Sequence, residues 1–145
     1  MPGILVGVDG SPHAERALEW AAKEAALRHV PLTVLAVHTV AAGWAGHGVA
    51  YPEDSQLVQK TKAAAQELTD KVLTALDGAR PEAVTVEAVN GIPAEVLIRA
   101  SADADLLVLG ARGTGGFARL LVGSVSTQVA HHTHCPVVIV PQASR

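Results

Sequence analysis

Gly110-Ala-Arg-Gly113-Thr-Gly-Gly-Phe-Ala-Arg119-Leu-Leu-Val-Gly123-Ser124-Val-Ser126 is the stretch around which the chain is organised. It follows the apolar run Leu106–Leu109 and precedes Val125–His132, whose pattern predicts a helix. A strand, a glycine-rich loop and a helix start suit an anion. Glycine lets the backbone approach a ligand without interference from a Cβ. The free N–H groups at a helix start, with the helix dipole behind them, favour phosphate. Gly110, Gly113 and Gly123 line the predicted loop, Ser124 caps the helix or offers its hydroxyl to a phosphate oxygen, and Ser126 lies one turn in. The spacing is Gly-x2-Gly-x9-Gly-Ser. Walker A would need Lys where Ser124 stands, and the Rossmann G-x-G-x-x-G spacing is missing. The competing reading is a glycine-rich surface turn in a chain with 13 glycines among 145 residues.

Working outward, the flanking segments alternate between strand and helix patterns. Ile4–Val8 is a short, β-branched apolar run, hence a buried strand. Ser11 is a candidate N-cap, and Pro12 suits a first helical position. Ala14, Ala17, Leu18, Ala21, Ala22 and Ala25 then form one apolar stripe, with Glu19 and Lys23 paired on the other side. Pro31–Thr39 is a second buried strand. Val40–Pro52, with Gly43, Gly46, Gly48, Trp44 and Tyr51, reads as a long loop of the kind that forms lids. Glu53–Leu76 predicts a long helix with Leu57, Thr61, Ala64, Ala65, Leu68, Val72, Ala75 and Leu76 inward and a Glu67–Lys71 pair outside. Gly78 is its stop. Val84–Asn90 alternates in the manner of an edge strand. Gly91-Ile-Pro93 turns into a short helix through Ala102, and Pro136–Val140 is a fifth strand. Strands alternating with helices imply a parallel sheet covered on both faces.

Composition narrows the function classes. At 145 residues the chain suits a single domain spanning 1–145, able to bury a core without staples. A 3% aromatic content leaves that core to Ala, Val and Leu. A net charge of −3 with no basic block argues against a general nucleic-acid binder. The lone Cys135 cannot form an internal disulfide, which is compatible with a reducing cytoplasm. No apolar run reaches the roughly 18 residues of a membrane span. Met1-Pro-Gly leads straight into a strand, so no signal peptide is expected and the cytoplasm is the expected location.

Asp9 ends the first strand, on the edge where doubly wound sheets bind ligands. Local chemistry leaves it open between a carboxylate for ribose or base donors and an Asx-turn or cap. Arg112 and Arg119 divide likewise between phosphate contacts and solvent, with Arg112, between two motif glycines, the better placed. His38 reads as a packing or exposed histidine. His131, His132 and His134 invite a metal, but 131 and 132 point to different faces of a helix and no carboxylate lies nearby in sequence, so no metal site is expected. Cys135 reads as an inert buried thiol. Nothing ties a His/Asp pair to Ser11, Ser124 or Ser126, so a hydrolytic triad is unsupported.

Gly110, Gly113, Gly123 and Ser124 match without a gap the G-x2-G-x9-G-[S/T] motif of the universal stress protein family in its ATP-binding branch, which the chain resembles over nearly its whole length. Ile4-Leu-Val-Gly-Val-Asp9-Gly-Ser11 and Cys135-Pro-Val-Val-Ile-Val140-Pro also look like that family. The resemblance implies an open, doubly wound, Rossmann-like α/β fold: a five-stranded parallel sheet of order 3-2-1-4-5, with the first and fourth strands adjacent. It implies a nucleotide along Gly7, Val8 and Asp9, with Asp9 at the nucleoside and Val37 against adenine through its backbone. Phosphates would lie on Leu109, Gly110, Gly113, Gly123, Ser124, Val125 and Ser126, joined by Arg112 on its local chemistry. ATP is the expected ligand, with or without Mg²⁺ held mostly by phosphates; cyclic AMP, which some relatives prefer, is the variant. A bare fifth strand is an aggregation hazard unless covered. The family implies a homodimer through Pro136–Val140; a covering loop is the alternative. The implied role is a nucleotide-dependent sensor acting through an unidentified protein partner. A slow ATP hydrolase and a nucleotide-free dimeric scaffold are the alternatives.

Overall fold

The computed structural model describes residues 2–9, 14–39, 55–111 and 124–141. In chain order the elements are β1 (Ile4–Val8), α1 (Glu15–Arg28), β2 (Leu32–Thr39), α2 (Ser55–Ala75), β3 (Val84–Gly91), α3 (Pro93–Ser101), β4 (Leu106–Gly110), α4 (Ser124–His132) and β5 (Val137–Val140). The strands form one sheet in the order β3-β2-β1-β4-β5, every pair parallel, as expected.

Successive strand residues point to opposite faces, so each central strand feeds two cores. Ile4, Val6, Val8, Leu106 and Val108 pack under the alanine stripe of α1 and under Ala65, Val72 and Leu76 of α2. Leu5, Leu107 and Leu109 pack on the other face with Ala94 and Leu97 of α3 and Val129 of α4. This double burial is why β1 and β4 read as unbroken apolar runs. Ala17, Ala21, Ala22 and Ala25 are fully buried, and their small side chains leave the helix backbone close to the sheet. β3, on the edge, keeps Thr85 and Glu87 exposed.

The α-helical run of α1 begins at Glu15 with Ala14 at the N-cap position and no side-chain cap there; the expected cap Ser11 and Pro12 lie outside the described residues. Two local expectations, both on α2, are corrected. Lys71 does not pair with Glu67; its Nζ reaches Glu15 Oε1 on α1 at 3.3 Å, a contact that only the packed helix pair creates. On α2, Leu57, Ala64 and Ala75, all expected inward, are exposed, while Thr69 is fully buried. Thr69 tolerates burial because its hydroxyl donates to the Ala65 carbonyl at 2.7 Å. The Glu19–Lys23 pair forms at 3.1 Å as expected. α1 ends with His29 in the left-handed region (φ 57°, ψ 47°), where Val30 donates back to the Ala25 carbonyl. Gly78, at φ 97°, sits in open space three residues beyond the end of α2 at Ala75.

Candidate functional site

The sheet order makes β1 and β4 neighbours while their outgoing connections run to opposite faces, α1 to one and α4 to the other. That divergence is the switch point at which open α/β sheets leave a crevice beyond the strand ends. The register fixes what borders it. Val6 lies opposite Val108, so two residues on Val8 and Gly110 come level at the carboxyl edge. Val8 lies opposite Ala36, so Asp9 and Val37 follow at the same height on the neighbouring strands. Asp9 is exposed there. Ser124 opens α4 and is exposed, and Val125 is half-buried against the second core. Three parts distant in sequence thus share one edge: the end of β1, the end of β2, and β4 with the start of α4.

The remaining expected residues sort differently. Val8, Val37 and Leu109 bury their side chains in the cores, leaving their backbones at the edge. Gly7 serves packing: a Cβ there would stand 2.9 Å from both Leu109 Cδ2 and Leu97 Cδ2, so its missing side chain makes room for α3 rather than for a ligand. Ser126 is buried, and its hydroxyl donates to the Gly110 carbonyl at 2.9 Å. In this structure that proton is committed to joining α4 to the end of β4 and is not offered to a phosphate. Arg112, Gly113, Arg119, Gly123 and the 40–52 loop lie outside the described residues.

Charge and polarity at this edge are modest. Ala111 donates its N–H to the Val140 carbonyl at 2.9 Å, and Arg16 Nε donates to the Pro141 carbonyl at 3.0 Å, tying β5 to β4 and to α1. The first-turn N–H groups of α4 lack intrahelical acceptors, as at any helix start, and supply the positive end of its dipole. Among the described residues no group of three His, Cys, Asp or Glu side chains converges to hold a metal. His131 and His132 are exposed at the other end of α4, their ring centroids 6.3 Å apart. Burial pushes the Cys135 thiol above its ordinary pKa, opposed by the Thr133 hydroxyl and reinforced by the Asp105 charge, which leaves little thiolate. One polar side chain at the carboxyl edge escaped the sequence reading. Asn90, near the end of β3, has a buried Oδ1 with no hydrogen-bond partner among the described residues. The signal was present, since the inward series Val84, Val86, Ala88 continues by twos to position 90. Among the described residues no helix is long and apolar enough to cross a membrane.

The model of the Universal stress protein family matches residues 2–141. A universal stress protein of Mycobacterium tuberculosis is 40% identical over 141 residues, covering 96% of this chain and 48% of its own length. The chain spans about half the length of the curated relatives it matches. Among solved structures, the universal stress protein UspA from Lactobacillus plantarum superposes with a TM-score of 0.74 at 26% identity, covering 96% of this chain and 97% of that one. The universal stress protein from Archaeoglobus fulgidus in complex with dAMP gives 0.60 at 27% identity, covering 97% of each. Fold, strand order and a match over nearly the whole sequence agree: the chain belongs to the universal stress protein family.

Proposed function

We propose that this chain is an ATP-binding universal stress protein domain that acts as a nucleotide-dependent sensor. The carrying observation is the β1–β4 adjacency, which sets Asp9 beside Gly110 at the edge where α4 begins. Phosphates lie on the backbone of Gly110, Gly113, Gly123, Ser124 and Val125, with the Ser124 hydroxyl beside them. Asp9 takes the ribose, and the Val37 backbone takes the base. Mg²⁺ is held mostly by the phosphates, since such a metal needs few protein ligands. The dAMP bound by the Archaeoglobus fulgidus relative supports an adenine nucleotide rather than another anion. The protein works in the cytoplasm as a homodimer through Pro136–Val140, where Val137, Val138 and Ile139 stay half-exposed on the outer strand. Nucleotide occupancy alters the dimer or the 40–52 loop, and a protein partner reads the change.

Purification without added nucleotide, followed by denaturation and identification of what is released, tests this reading. ATP in the released fraction, or tight rebinding of ATP with Mg²⁺ by the emptied protein, is the expected result. No release and no rebinding would leave a dimeric scaffold. Turnover is expected to be slow, because the sequence of the 110–126 loop contains neither a dedicated Lys nor paired carboxylates to position water. Steady hydrolysis above about 1 s⁻¹ would place the protein among ordinary enzymes instead.

A further inference from the structure

Asn90 lies on β3, two strands away from β1 on the same sheet edge. Val84, Val86 and Ala88 face the core beneath α1 and α2, and strand alternation sets Asn90 on that side. Its Oδ1 is buried and accepts no hydrogen bond from any described residue, His38, its register partner on β2, included. A native fold rarely leaves a buried amide oxygen unpaired without a reason such as an absent ligand. We propose that Asn90 is a specificity-determining residue for the nucleotide base, its Oδ1 accepting a hydrogen from the exocyclic 6-amino group of adenine. This rests on the adenine-nucleotide reading given above.

The strand order supports the placement. Neighbouring strands are about 4.8 Å apart, so β4 to β3 spans about 14 Å in three steps. That is comparable with an extended adenine nucleotide. Phosphates over β4, ribose at β1 and base at β2 bring the outer edge of the base towards β3. Val37 pairs with Val89 and the next pair is His38 with Asn90, so Asn90 stands one residue further towards the ligand edge. Chemistry then selects the base. A 6-amino group is a donor and completes the amide oxygen; the C6 carbonyl of hypoxanthine or guanine is an acceptor and opposes it.

Binding of ATP and of inosine triphosphate, which differs at C6, is measured calorimetrically on emptied wild-type protein and on Asn90→Leu. Asn90→Val replaces the leucine variant if that fails to fold. Wild type is expected to prefer ATP by roughly tenfold or more, because a buried acceptor opposes the wrong base. Asn90→Leu is expected to lose that preference, with ATP weakened and inosine triphosphate unchanged or improved. An ATP preference that survives in the folded variant overturns the assignment while leaving the site intact. So does equal affinity in wild type, or tighter inosine triphosphate, which would mean that the amide nitrogen faces the base. Failure of wild type to bind either nucleotide removes the site reading, and this assignment with it.

Discussion

The two ends of the sheet are built differently. At the amino end the strands and their incoming connections are sewn together through the backbone: Ile4 donates to the Pro31 carbonyl, Leu32 to Ala83, Asp105 to Gly3 and Leu107 to Pro136, all within 3.0 Å. Ser101 adds a side-chain stitch, donating to Ile98 at 2.7 Å and accepting from the His134 N–H at 2.9 Å. At the carboxyl end the described ties are fewer, chiefly Ala111 to Val140, Ser126 to Gly110 and Arg16 to Pro141. Polar groups collect there instead: Asp9, Asn90, Ser124 and the positive end of the α4 dipole. One end holds the fold and the other presents it. Changes at the amino end should therefore cost stability and spare ligand binding, and changes at the carboxyl end should do the reverse.

The largest stability effect is expected at Gly3. A Cβ there would run into the Pro31 carbonyl, which is backbone and cannot swing away. Gly3→Val should destabilise by about 3 kcal/mol in chemical denaturation, while the folded fraction binds ATP as wild type does. A large loss of affinity in the folded fraction would break the division between the ends. Ser101→Ala should cost about 1–3 kcal/mol, because it strands the His134 N–H. The measurement is again a denaturation midpoint with an unchanged ATP titration. The smallest effect has the opposite sign. His29 holds φ 57° without glycine's freedom, so His29→Gly should stabilise by about 1 kcal/mol and raise the melting temperature by a few degrees. A lower melting temperature would show that the His29 side chain contributes more than its backbone strain costs.

The sheet was readable because burial on both faces forces continuous apolar runs in β1, β2 and β4, and alternation marks β3 as an edge. The buried face of α1 follows from the helical period, whereas the expected α2 stripe is too wide, since Leu57, Ala64 and Ala75 are exposed. Contacts between elements were not readable. Gly7 looks like a site glycine beside Asp9, and only the position of Leu97, on α3, turns it into a packing glycine. Lys71 has Glu67 one turn away in its own helix, yet pairs with Glu15 on another. Ser126 carries the hydroxyl a phosphate loop needs, but its partner is the Gly110 carbonyl, on β4. Each of these depends on what the fold brings near, not on the residue's own neighbours in sequence.

The central claim is that the carboxyl edge around Gly110, Gly123 and Ser124 holds the phosphates of ATP without supporting the fold. Side-by-side ATP titrations of emptied wild type and Gly123→Val, each with a thermal unfolding scan, test it most directly. The account predicts tight binding by wild type, a loss of at least about a hundredfold in the variant as a side chain enters the phosphate space, and melting temperatures that agree within about 2 °C. Equal affinities would contradict the placement of the phosphates, and a variant that loses binding only because it unfolds would contradict the separation of the two ends.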